Sequence, residues 1–265
     1  MSADPQALAE PVVIEMLRSA GCVFAEDEAR MLLAEAPTPA DLAAMVGARM
    51  SGLPLEQVLG FAEFRGLRIA VAPGVFVPRR RTEVLADHAV ALAREAGERP
   101  VVVDLCCGSG AVGAAVAAAA GPMDLYAVEI DPTAVRCARR NLAATGAEVY
   151  CGDLYAPLPG SLRGRVDVLV ANVPYVPTEA IATMPPEARV HEPRVALDGG
   201  PDGLSVLRRV TAEASRWLAP TGSLLVETSE QQAPAAVEAF AHGGLVAHVV
   251  ADDDLGATVV IGQFA

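Results

Sequence analysis

Three carboxylates stand at the ends of three successive short apolar runs: Asp104, Glu129 and Asp153. Between the first two lies Gly108-Ser109-Gly110-Ala111-Val112-Gly113, which matches G-x-G-x-x-G, with Glu129 placed 21 residues after Gly108. Alone, that match fits a dinucleotide site. Asp104, four residues before Gly108, changes the chemistry. A carboxylate on the approach to the loop repels a pyrophosphate and suits a ligand with positive charge, such as the amino group of S-adenosylmethionine. Glu129 could accept the ribose hydroxyls, and Asp153 could accept an adenine amino hydrogen or hold the loop around the base. For any single carboxylate the plain alternative is a helix N-cap. Asp131, before Pro132, fits that role better than Glu129 does.

A second constellation, Asn172-Val173-Pro174-Tyr175, follows the apolar run Val166 to Ala171. An amide nitrogen is a poor nucleophile because its lone pair is delocalised. The Asn172 side-chain oxygen and the Val173 carbonyl could each accept one N–H of such a nitrogen. They would thereby stabilise the positive charge that develops as it attacks a sulfonium methyl. Tyr175 offers a face for a planar group, and Pro174 holds Val173 extended. An ordinary strand-ending turn is the plain alternative for this segment.

These groups need a scaffold that brings strand ends together. Val101–Val103, Leu125–Val128, Glu148–Tyr150 and Val166–Ala171 read as strands, and 110–120, 132–144 and 201–218 read as helices. The alternation predicts a doubly wound, Rossmann-like parallel sheet with ligands at its carboxyl edge. Leu245–Ala251 and Thr258–Phe264 are joined by a connection too short for a helical crossover, so they should pair antiparallel. A parallel sheet ending in such a hairpin points to the methyltransferase version of the fold. Upstream, 11–20, 26–36 and 40–50 read as three short helices, the last with Thr38 as N-cap and Pro39 at N1. Phe61 to Val71, turning at Arg65-Gly66, reads as a hairpin.

The chain has 265 residues and a net charge of −13, with 20 basic and 33 acidic side chains. Every basic residue is Arg, so lysine chemistry is excluded. Residues 1–60 carry a net −6, 61–100 a net +2 and 101–265 a net −9. That balance argues against bulk binding to nucleic acid. Five cysteines without C-x-x-C spacing fit a reducing cytoplasm better than disulfides or zinc. His191-Glu192 lacks the second His of a zinc motif, so no metal is expected. Met1 to Glu10 has no apolar h-region and reads against a signal peptide. The uncharged stretch Leu105–Met123 is interrupted by glycines and Pro122 and reads against a membrane span. Arg79-Arg80-Arg81 is either an anchor for a partner or a solvated turn.

With these residues in place, the sequence resembles the HemK-like family of protein-(glutamine-N5) methyltransferases, also called PrmC. Val77-Pro78-Arg79 and Thr82-Glu83 are similar to the ends of its I-P-R-P-E-T-E signature. Asp104 to Gly110 resembles its D-x-G-T-G-S-G loop, and Asn172 to Tyr175 stands where it has N-P-P-Y. Glu192-Pro193-Arg194-Val195-Ala196-Leu197 and Gly199-Gly200-Pro201-Asp202-Gly203-Leu204 are long matches, and Glu227 and Gln231 fit its last motif. Three departures stand out: Val173 for the first proline, Cys106 and Cys107 for Gly and Thr, and Arg80-Arg81 for Pro-Glu.

The resemblance implies a helical substrate-recognition domain over 1–58, a hairpin linker over 59–80 and a catalytic domain over 81–265. It implies S-adenosylmethionine bound by Asp104, Cys106, Gly108, Gly110, Glu129, Asp153, Leu154 and Asn172. Asn172, Val173, Pro174 and Tyr175 would hold the target amide. The partner would be a peptide-chain release factor or a similar glutamine-containing protein, met by a cytoplasmic monomer. Two other readings stay open: methylation of an adenine amino group in nucleic acid, and a non-catalytic protein that binds S-adenosylmethionine or a nucleotide.

Overall fold

The computed structural model describes residues 9–265. Most of the segment read against a signal peptide lies outside them. Three helices open the fold: α1 (Glu10–Ser19), α2 (Ala25–Glu35) and α3 (Pro39–Met50). They bury Val13, Leu17, Ala29, Leu32, Leu42 and Val46 against one another in a cluster of their own. The Thr38 hydroxyl accepts the Asp41 N–H at 3.2 Å, as the N-cap reading expects. Beside this cluster, buried Arg49 spans two carboxylates. It forks onto Glu28 at 2.6 and 3.1 Å and reaches Glu187, far along the chain, at 2.6 Å.

A short helix, α4 (Leu55–Leu59), leads into the antiparallel hairpin β1 (Phe61–Phe64) and β2 (Leu67–Ala70). The turn sits at Arg65-Gly66, where both residues have positive φ. The chain then alternates: α5 (Glu83–Glu95), β3 (Val101–Leu105), α6 (Ala111–Ala120), β4 (Asp124–Glu129), α7 (Pro132–Asn141), β5 (Glu148–Cys151) and β6 (Val166–Ala171). After β6 come α8 (Pro186–His191), α9 (Ser205–Ala214), β7 (Leu218–Thr228), α10 (Ala233–His242), β8 (Val246–Asp252) and β9 (Ala257–Gln263).

Seven strands form one sheet in the order β5-β4-β3-β6-β7-β9-β8. The first five run parallel, and β9 inserts antiparallel between β7 and β8. All of β3 is buried, as expected for a parallel strand covered on both faces. The uncharged stretch resolves into the end of β3, a loop and the Ala-rich α6, which lies under the sheet. No helix among the described residues is long and apolar enough to cross a membrane.

Three elements differ from the sequence reading. The expected helix over 201–218 shortens to α9, because Gly200 and Gly203 both turn with positive φ. The expected helix over 132–144 ends as an α-helix at Asn141 and tightens into a 3₁₀ turn over Ala143–Thr145. β7 was not anticipated, because Pro220 and Gly222 interrupt its apolar pattern. Gly222 packs so closely on β6 that a Cβ there would lie 2.4 Å from the Val166 carbonyl oxygen.

Candidate active site

The loop after β3 turns three times through left-handed backbone, at Cys106 (φ 54), Gly108 (φ 56) and Gly110 (φ 80). Gly110 also lies where a Cβ would meet the Ala138 backbone at 3.2 Å, so α6 and α7 close tightly behind the loop. Asp104 sits beneath. Its Oδ2 accepts the Gly113 N–H at 2.9 Å, pinning the first turn of α6. Burial pushes its carboxyl up to about 7, helped by the charge of Glu129 and opposed by that hydrogen bond.

Glu129 closes the loop from β4. Its Oε2 accepts the Gly108 N–H at 2.9 Å, and its Oε1 accepts the N–H groups of Ile130 and Asp131 at 2.7 and 2.9 Å. Burial raises its pKa while those three bonds oppose the rise. A carboxylate offers about four lone-pair sites, so roughly one acceptor site remains for a ligand hydroxyl. The helix cap of α7 is Asp131, which accepts from Thr133 and Ala134. Asp153, after β5, pairs with Arg209 of α9 at 2.6 Å. Leu154 beside it has φ 47.

Asn172 follows β6. Its Nδ2 donates to the Thr82 hydroxyl at 3.3 Å, and its Oδ1 accepts no hydrogen bond among the described residues. The backbone that follows is clamped from behind. Gln232 donates to the Tyr175 carbonyl at 2.9 Å and to the Asp202 carbonyl at 3.0 Å. The Val176 N–H donates to the Leu197 carbonyl, and Gly199 returns to that of Val176. Gly199 and Gly203 are obligatory here. A Cβ would lie 2.7 Å from the Pro174 oxygen at Gly199 and 2.3 Å from the Tyr175 oxygen at Gly203. With this clamp, Val173 is buried without proline's stiffness.

The Arg triplet divides three ways. Arg79 pairs with Glu192 at 2.6 Å, and Glu192 also accepts the Val77 N–H at 3.1 Å. Arg81 reaches Glu227 at 3.4 Å and the Tyr175 hydroxyl. Arg80 is exposed and makes no side-chain hydrogen bond among the described residues, so the solvated reading holds for that residue alone. Burial and the Glu227 carboxylate push the Tyr175 phenol up to about 12, against the pull of Arg81.

These groups share one cavity of about 420 Å³. Cys106, Gly108, Glu129, Asp153 and Leu154 line it together with Asn172, Val173, Pro174 and Tyr175. Asp104 and Gly110 are not on its wall; they hold the loop from behind. A Cβ on Gly108 would meet no protein atom within 4 Å, so the loop leaves open space beside its backbone. That space, the spare acceptor capacity of Glu129 and the nearby Asp153 suit a ligand with a ribose, an amine-bearing base and positive charge. Among the described residues no cluster of His, Cys, Asp and Glu could hold a metal.

Thr82, Arg209 and Gln232 did not emerge from the sequence as site residues. Arg209 carries no local signal, and Thr82 carries one only as part of the Thr82-Glu83 match to the family signature. Gln232 does carry one, since it lies five residues after Glu227. Gln231, its neighbour, is exposed.

The family model for the methyltransferase small domain matches residues 66–199. A release factor glutamine methyltransferase of Mycolicibacterium smegmatis is 42% identical over 235 residues, 86% of this chain and 82% of that protein. A 4-amino-L-phenylalanine/4-methylamino-L-phenylalanine methyltransferase of Streptomyces pristinaespiralis is 35% identical over 88% of this chain and 80% of its own. A crystal structure of a methyltransferase from Pyrococcus furiosus superposes with a TM-score of 0.52 at 17% identity, over 75% of this chain and 89% of that one. At that identity the likeness is one of fold.

Proposed function

Because the chain belongs to the methyltransferase small domain family, we propose that it transfers a methyl group from S-adenosylmethionine to the side-chain amide nitrogen of a protein glutamine. The acceptor is a release factor or a related protein with an exposed glutamine loop. The observation that carries this reading is Asn172: its amide nitrogen is tied to Thr82, which leaves its oxygen free in the same cavity as the glycine loop and Glu129.

In this reading Glu129 would hold the ribose and Asp153 the adenine of the cofactor, with the Gly108 backbone leaving room for it. The bound cofactor supplies an electrophilic methyl group on a sulfonium. The chain's own residues position the acceptor. Asn172 Oδ1 and the Val173 carbonyl accept the two amide hydrogens, fix the nitrogen in line and favour the positive charge it gains. Tyr175 forms the wall against the amide plane. No strong base is required, because the methylated nitrogen is acidic enough to lose its proton to water.

The test is transfer of labelled methyl from S-adenosylmethionine into purified release factor and into an extract lacking this enzyme, followed by mass spectrometry of the labelled peptide. Label on a glutamine side chain is the expected result. Label on nucleic acid, or none with intact cofactor binding, overturns the reading.

A further inference from the structure

Phe76, Arg79, Arg81, Met184 and Pro185 also line the cavity. Arg81 is the unusual member. Its Nε faces Glu227 and its Nη2 donates to the Tyr175 hydroxyl. Its Nη1 has no partner among the described residues. The anchor is rigid: Glu227 is 1% exposed and stands on β7, in the register step after Val226, which pairs with Ala171 of β6. The Arg81 side chain is 42% exposed, so its free edge meets the cavity rather than the core.

Glu227 offsets the Arg81 charge on one side, so the guanidinium can line a cavity in which the acceptor nitrogen gains positive charge. Its Nη1 edge still lacks a partner among the described residues, and a carboxylate on the acceptor would give it a charge-assisted hydrogen bond. The HemK-like signature carries Glu where this chain has Arg81, so the sign of the charge at this position is reversed.

We infer that Arg81 reads a carboxylate on the methyl acceptor, within the cavity that Asn172 also lines. This rests on the proposed function, in which the cavity holds the methyl acceptor. The carboxylate has two possible sources. One is an acidic side chain flanking a glutamine. The other is the carboxylate of a free amino acid, the class named for the Streptomyces pristinaespiralis relative.

The test uses the full chain loaded with S-adenosylhomocysteine and calorimetric titration of two matched pairs. One pair is a capped peptide whose glutamine is followed by Asp or by Asn. The other is 4-aminophenylalanine and its carboxamide. In at least one pair the carboxylate member binds about tenfold tighter. The advantage disappears in Arg81→Gln and reverses in Arg81→Glu, and the pair that responds identifies the source. Affinity for S-adenosylhomocysteine reports that each variant is folded, and Arg81→Lys, which keeps the charge but loses the fork, retains part of the preference. Equal binding within both pairs, or a preference that survives Arg81→Gln, overturns the inference. Labelled transfer read in parallel separates the two claims. Arg81-dependent binding without glutamine methylation overturns only the proposed function. Methylation without charge preference overturns only the role of Arg81.

Discussion

The Glu192 carboxylate accepts the backbone N–H of Val77 at 3.1 Å across 115 residues of sequence. It joins the segment before the Arg triplet to the loop that faces the cavity. Glu192→Ala leaves that buried N–H and Arg79 without their partner and should cost about 2–3 kcal/mol. Glu192→Gln, which still accepts from Val77, should cost less. Chemical denaturation of the two variants checks the order; equal losses would mean that the backbone bond contributes nothing.

Asn172→Ala removes the side-chain acceptor from the proposed amide site. Methyl transfer should fall by about 10²–10³-fold, while calorimetric affinity for S-adenosylmethionine changes little. Near-normal turnover would falsify the assignment of Asn172.

Gly203→Ala should be far more damaging than Gly256→Ala. Both residues have positive φ, 77 and 60, so each substitution costs about 1 kcal/mol in backbone strain. At Gly203 the new Cβ would also sit 2.2 Å from Gln232 Nε2 and 2.3 Å from the Tyr175 oxygen, whereas at Gly256 it meets nothing within 4 Å. Thermal unfolding and turnover of both variants test the contrast. Only Gly203→Ala should lose activity beyond its loss of stability.

Asp104 gives a pH signature. Burial, more than the charge of Glu129, holds its carboxyl up to about 7 in the folded chain against 3.8 for the free side chain. The unfolded chain therefore ionises first as pH rises. The stability that this group contributes is complete below about pH 4 and is lost as pH rises through 7. Asp104→Asn cannot ionise. Its stability relative to the parent should climb by about 2–4 kcal/mol between those limits and stay level above them. A difference that does not vary with pH would mean that Asp104 is ionised throughout.

Burial raises the thiols of Cys106 and Cys107, with nearby carboxylates adding to it, while Cys151 is exposed. Iodoacetamide at neutral pH should alkylate Cys151 at least about tenfold faster than either. Peptide mass spectrometry over a time course reads the order directly.

The parallel strands and the carboxylates at their ends were legible because buried parallel strands are continuous apolar runs and ligands lie at their carboxyl edge. Asn172 was legible for the same reason, as a polar residue directly after such a run. The tail hairpin was legible from the length of its connection. β7 was not, because Pro220 and Gly222 mimic a turn and only packing on β6 makes that segment a strand. Nor did spacing show that Asp104 lies behind the loop rather than on the cavity wall, since a strand-end carboxylate can face either way. Thr82, Arg81 and Glu227 come together only through tertiary structure: β7 must lie beside β6 before a residue near position 80 can meet one near 227.

Arg49 joins the amino-terminal helices to the pocket. It holds Glu28 from α2 and Glu187 from α8, and Glu187 is on the cavity wall. The Arg49–Glu28 pair is buried, whereas Glu187 is 46% exposed, so the bond that reaches α8 is worth at most about 1 kcal/mol. Parting it leaves Arg49 still held by Glu28. In amide hydrogen exchange the protons of α8 should therefore exchange ahead of the slowest ones in the bundle. Arg49 thus works as a latch between the two, one that can be released without unfolding either.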